Sequence, residues 1–248
     1  MTVAPVDEGR HHAGPEPQWN EWWSLDFARD DGFGGFIRLA LHPNAKVAWY
    51  WAYVVTTDHP GPIVVRDHDV TLPRNAPLEV RADGLWGELT CEVALEHWTY
   101  GLEAFGVRLD EPADAFRGEI GERLALGFDL EWELNGVPIE GASQQYEQPG
   151  AVHGEVLVDR DRIEFDGHGV RAHGWGAAPP WSAGYKRAPF DWNSAFEVLQ
   201  LAPVPLDGGP GEPVGLVRAL CRYDAGAGVT TGWAEWAVTD HQRAFDIP

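Results

Sequence analysis

Arg171, His173 and Trp175 alternate within Gly167-His168-Gly169-Val170-Arg171-Ala172-His173-Gly174-Trp175-Gly176. On a strand, that spacing sets a guanidinium, an imidazole and an indole on one face. Such a row is costly to bury unless each polar group finds a partner. As a pocket wall it would let His173 donate or accept a proton or orient a substrate, because imidazole titrates near neutrality. As plain structure, Arg171 would pair with a carboxylate such as Glu147, and His173 would bond a backbone carbonyl. Glu147, in Tyr146-Glu147-Gln148, is also a candidate acid, since desolvation raises a carboxyl pKa. A third cluster is Glu96-His97-Trp98-Thr99-Tyr100. Read as strand, it puts Glu96, Trp98 and Tyr100 on one face, opposite His97. An acid beside an indole and a phenol could deliver a proton there. His173, Glu147 and Glu96 are thus the candidate catalytic residues.

The chain is rich in aromatic rings, with 13 Trp among 248 residues. Trp49, Trp51 and Tyr53 share one face of an apolar run, and Trp132 belongs to another strand. Large rings fill β-cores, which is the bland reading of any one of them. Together they exceed what packing needs and would line a cavity with Trp98, Tyr100, Tyr146, Arg171 and Trp175. Each aromatic face stabilises a cation by about 0.5–2 kcal/mol. An apolar small molecule would fit such a cavity equally well.

Other chemistries are excluded or unsupported. His168 and His173 stand five apart, which suits no zinc motif, and Cys91 and Cys221 lack neighbouring ligands, so no metal is expected. His11-His12 in the N-terminal stretch is read as incidental. Gly167-His168-Gly169 has no Lys-Ser/Thr after it and no βαβ surroundings, and no Gly-x-Ser-x-Gly elbow exists. No cofactor is implied. Net charge is −21, which disfavours nucleic acid and anionic lipid as partners. No spanning segment or signal peptide is read, so membrane insertion is not expected and a cytoplasmic location is the default.

The elements that must position these groups are strands. Period-two patterns recur, and 29 Gly with 19 Pro punctuate the chain into short segments. Lys46–Thr56 is apolar on both faces, predicting a strand covered on both sides. Leu89–Leu102 reads as strand. Arg123–Leu134 alternates Leu124, Leu126, Phe128, Leu130, Trp132 and Leu134 against Ala125, Gly127, Asp129, Glu131 and Glu133, a half-buried strand. Asn135-Gly136-Val137-Pro138 is a turn, and a polar loop follows it. A hairpin turns at Asp159–Arg162. Further strands are expected at 196–201, 215–223 and 232–238, with Pro-rich and Gly/Pro loops around 179–181 and 206–213. The fold class is all-β: two antiparallel halves packed together, 19–140 and 141–248, after a flexible tail at 1–18.

Taken with Arg38-Leu39, Pro43-Asn44, Trp49-Tyr50-Trp51 and Tyr146-Glu147-Gln148, the 167–176 segment resembles a known signature. It is similar to the G-x-G-x-R-D-H-x-W-G element of the two-domain lipocalin-like family around carotenoid 1,2-hydratase (hydroxyneurosporene synthase). That family includes actinobacterial relatives and, in plan, lipocalin-like pericyclases and terpenoid cyclases. The resemblance implies two calycin-like β-halves and chemistry on isoprenoid or polyene substrates. Where the signature carries Asp before its His, this chain has Ala172. The expected function is cofactor-independent cyclisation, hydration or isomerisation of such a substrate, by protonation or by holding a reactive conformer. The alternative is a non-catalytic carrier of a hydrophobic metabolite.

Overall fold

The period-two pattern of 123–134 does form a strand, with Leu124, Leu126, Phe128, Leu130 and Trp132 buried and Asp129, Glu131 and Glu133 in solvent. It belongs to a computed structural model that describes residues 2–74, 78–141, 144–177, 181–206 and 213–248. Pro179-Pro180, Ala142-Ser143 and most of the 206–213 loop lie outside the described residues. In chain order the strands are β1 (Asn20–Ala28), β2 (Gly34–His42), β3 (Val47–Thr56), β4 (His59–Thr71) and β5 (Leu78–Ala82). Then come β6 (Leu85–Val93), β7 (His97–Leu109), β8 (Gly121–Leu134), β9 (Ile139–Glu140) and β10 (Gln145–Val158). The last are β11 (Asp161–Gly176), β12 (Lys186–Arg187), β13 (Phe196–Pro205), β14 (Gly215–Asp224) and β15 (Val229–Val238). No helix among the described residues is long and apolar enough to cross a membrane.

The protein is all-β and antiparallel. Strands β4-β3-β2-β1-β11-β10-β8-β7 bond in that order, and β4 returns to β7 through Ile63↔Arg108 and Val64↔Val107. A ring of strands results, and β6 and β5 extend the sheet from β7. A separate open sheet follows the order β12-β15-β14-β13. The expected boundary at 140/141 is bridged by the β8–β10 ladder, Gly150↔Leu134 to Val158↔Leu126. β1 also pairs with β11 across it. The division therefore falls after Gly176, because the ring needs β10 and β11 to close. Leu89–Leu102 is likewise two strands, β6 and β7, joined by a turn in which Leu95 adopts φ 65°.

The wall of the ring has two buried faces. Ala48, Tyr50, Ala52 and Val54 of β3 point into the interior, while Trp51, Tyr53 and Val55 face the second sheet. That is why both sides of β3 are apolar. The interior is packed with side chains, including Phe27, Trp98, Tyr100, Phe128 and Trp132. Leu216, Leu220 and Trp233 of the second sheet cover Phe36, Trp51, Tyr53 and Val64 outside.

The Gly-x-Gly of β11 is a packing device. A Cβ on Gly169 would stand 1.9 Å from the Asp26 carbonyl oxygen, and one on Gly167 2.4 Å from that of Ala28. Only hydrogen fits where β11 and β1 lie this close.

Candidate functional site

Alternation does place Arg171, His173 and Trp175 on one face of β11, and that face points into one end of the ring. Arg171 and His173 have no exposed surface. The carboxylate that meets Arg171 is Glu8, not Glu147: Arg171 Nη2 lies 2.6 Å from Glu8 Oε1. Trp98 Nε1 donates to Glu8 Oε2 at 2.6 Å, and the Tyr146 hydroxyl donates to Oε1. The Arg171 guanidinium carbon stands 5.0 Å from the Tyr146 ring and 5.1 Å from that of Trp98. Glu8 ends a short 3-10 turn, Pro5–Glu8, and is itself buried. The first residues are therefore not a loose tail. They cap the ring, because a buried guanidinium needs a buried carboxylate.

The same cap carries His11, stacked on Trp175 at 3.7 Å between centroids. His11 Nδ1 lies 2.8 Å and His173 Nε2 3.2 Å from Glu21 Oε1. Trp23 stacks on His173 at 4.5 Å. Burial lowers the His173 pKa more than Glu21 raises it, so the ring is neutral at pH 7.

The other expected site residues separate onto different surfaces. Glu96 sits exposed in the β6–β7 turn, away from Trp98 and Tyr100, which point inward; no acid stands beside that indole and phenol from this turn. Trp132 donates to the Asp26 carbonyl at 2.9 Å, and the Tyr100 hydroxyl bonds that of Tyr50. Trp98, Tyr100 and Trp132 are 1%, 2% and 0% exposed, so they border no space that water could enter. They form core. Trp49, Trp51 and Tyr53 face outward instead: Trp49 stacks on His68, Trp51 on Trp181, and Tyr53 on Phe36. Period-two alternation put the two groups of rings on opposite sides of one wall, so they cannot line one cavity.

A cavity does exist between the ring and the second sheet, of about 230 Å³. The outer face of β1 supplies Trp22, Ser24 and Asp26, β2 supplies Arg38, and β11 supplies Ala172. Trp181, Tyr185, Arg187, Arg218 and Glu235 close it from the other side, and Glu147 lies at its edge. Most of its charges are paired. Arg218 Nη2 meets Asp26 Oδ2 at 2.9 Å, and its Nε lies 3.3 Å from Glu235 Oε2. Tyr185 donates to Glu235, and Arg187 pairs with Glu147.

Arg38 is the exception. It is 9% exposed, its Nε and Nη2 have no hydrogen-bond partner, and no carboxylate among the described residues pairs with it. Its guanidinium is held between the rings of Trp22, at 4.1 Å, and Trp181, at 4.7 Å. Burial lowers its pKa to about 10, partly countered by Glu235, which leaves it charged at pH 7. The sequence does signal this residue: Phe36-Ile37-Arg38-Leu39-Ala40-Leu41 has one charge in an otherwise apolar strand.

Burial alone would raise the Glu235 pKa, but Arg218, Arg187, the Tyr185 hydroxyl and Arg38 outweigh it and hold the carboxyl low. A depressed carboxyl contributes stability above its unfolded pKa, lost as pH falls through the folded value. Urea unfolding below pH 4.5 is therefore expected to show a steeper loss for the wild type than for Glu235→Gln. Parallel curves would mean that Glu235 does not contribute this stability.

A lipocalin-like antiparallel β-protein, with a filled ring and a charged cleft against a second sheet, is the class that this geometry defines. The chain belongs to the DUF7064 family, described as a domain of unknown function, whose model matches residues 4–188. No curated protein matches it. Among solved structures it is similar to a Nitrosomonas europaea protein provisionally named ATTH, at 12% identity and a TM-score of 0.47, covering 95% of this chain and 98% of that one.

Proposed function

We propose that the cleft binds a small molecule carrying a carboxylate, or an equivalent anionic oxygen, beside a flat apolar body. Arg38 carries this reading. A buried cation that no carboxylate pairs directly is costly, even with the field of Glu235 nearby, and an anionic ligand removes that cost when it binds. Guanidinium donors suit a carboxylate because two N–H groups match its two oxygens. Trp22 and Trp181, on either side of Arg38, offer flat apolar surface for the rest of the ligand. The volume of about 230 Å³ lies just below the usual range for drug-sized ligands, so the ligand is small.

Turnover in the same cleft is a second reading, supported by the resemblance to carotenoid hydratases and lipocalin-like cyclases. Ala172, standing where the signature has Asp, lines the cleft, and the hydrogen-bonded Tyr185–Glu235 pair borders it. An isoprenoid or polyene acid would then be cyclised, hydrated or isomerised without a cofactor. Loss of the Asp carboxyl favours binding over proton transfer.

The test titrates the protein with aromatic and isoprenoid carboxylates and their neutral alcohols, following tryptophan fluorescence and ligand mass together. Carboxylates are expected to bind at least ten times more tightly than the alcohols and to leave unchanged. Equal affinity for both would overturn the role of Arg38. A product isomeric with the ligand, or heavier by one water, would establish turnover.

A further inference from the structure

Glu21 is a buried carboxylate, 1% exposed, with an unusual set of partners. Its oxygens accept the His11 backbone N–H, at 3.0 and 3.1 Å, and face two imidazole nitrogens, His11 Nδ1 and His173 Nε2. No Lys or Arg among the described residues pairs with it. A carboxylate in that position needs positive charge nearby, and no described Lys or Arg side chain supplies it.

We propose that His11, Glu21 and His173 form a binding site for one divalent transition-metal ion at the capped end of the ring. Two imidazoles and a carboxylate are the donor set that zinc and neighbouring ions of the first row take. The three donor atoms lie within 4.8 Å of one another. Bonds of 2.0–2.1 Å in tetrahedral geometry need a spacing of about 3.3 Å, so the partly exposed His11 ring would turn to close the set.

The surrounding residues suit an ion as well. Ligating histidines are oriented by a partner at the other ring nitrogen. His11 Nε2 faces Asp7 Oδ1 at 3.8 Å, and His173 Nδ1 faces the Tyr146 hydroxyl at 3.4 Å. That hydroxyl is itself fixed by Glu8. Trp23 and Trp175 stack on the two imidazoles and restrict their rotation. His11 is partly exposed, which gives an ion a way in from solvent. Because one ligand comes from the N-terminal cap and two from the ring, the ion would tie the cap down.

The test uses untagged, chelator-treated protein titrated with Zn²⁺ by calorimetry and with Co²⁺ by visible d–d absorption. One equivalent is expected to bind and to raise Tm. His11→Ala should weaken binding at least tenfold while leaving the fold intact, since His11 is partly exposed. Glu21→Gln should weaken it similarly, and His12→Ala should leave it unchanged. Absence of uptake by the wild type, or equal uptake by His11→Ala, would overturn the proposal. Carboxylate binding in the cleft is independent of either result.

Discussion

Replacing Glu8 by Ala is expected to lower the unfolding free energy by about 3–5 kcal/mol, the usual cost of stranding one partner of a buried ion pair. The Arg171 side chain has no exposed surface, and Glu8 is its carboxylate. Without it the guanidinium would keep the rings of Trp98 and Tyr146 but no counter-charge. Trp98 Nε1 would also lose its acceptor, and the Tyr146 hydroxyl would fall back on the Asp7 carbonyl, at 3.2 Å. Since Arg171 Nε and Nη1 already have no partner, the guanidinium has no spare hydrogen bond to absorb the loss. Denaturant unfolding of Glu8→Ala measures the effect. The double variant Glu8→Leu/Arg171→Met should recover most of it, because removing both charges removes the stranded one. A single-variant loss below about 1 kcal/mol would mean that the N-terminal cap does not seat on the ring.

Asp26→Ala is expected to cost a similar amount, about 3–4 kcal/mol, for a different reason. Asp26 Oδ1 accepts the Val170 backbone N–H at 2.7 Å, and Oδ2 meets Arg218 at 2.9 Å. One side chain thus joins β1, β11 and the second sheet. Its removal orphans a backbone donor and leaves Arg218 to Glu235 alone. Asp26→Asn keeps an acceptor for Val170 and should lose roughly half as much. Arg218→Met in the Asp26→Ala background should restore part of the loss. Equal destabilisation by Ala and Asn would assign the whole effect to charge and leave the Val170 bond without weight.

The strands were legible because their patterns are local. Leu124 to Trp132 alternate at period two, and the double-sided apolar run of β3 signalled a strand covered on both faces, as it is. The alignment of Arg171, His173 and Trp175 on one face was readable for the same reason. Their partners were not. Glu8 and Arg171 stand 163 residues apart, and no local pattern in the first residues marks an acid that will be buried. A short 3-10 turn has no periodicity to detect, so the cap reads as tail. The aromatic cavity failed on a different point. Alternation told which rings share a strand face, but only the closure of the ring decides whether that face points inward or toward the second sheet. Trp51 and Trp98 therefore ended on opposite sides of the wall. The solitary charge of Arg38 within apolar β2 is a local signal too, but the side of the wall that it faces again follows only from closure of the ring.

Arg38→Met provides the most direct test of the cleft, because it separates binding from folding. A buried cation replaced by an apolar side chain of similar length is often neutral or stabilising, while the cation–π attraction to Trp22 and Trp181 that disappears with the charge is worth about 0.5–2 kcal/mol. Stability is therefore expected to stay within about 1 kcal/mol of the wild type. Affinity for the best carboxylate should fall at least tenfold in the same protein. Undiminished carboxylate binding by a folded Arg38→Met variant, or a loss of several kcal/mol in its stability, would contradict the account and return Arg38 to a structural role.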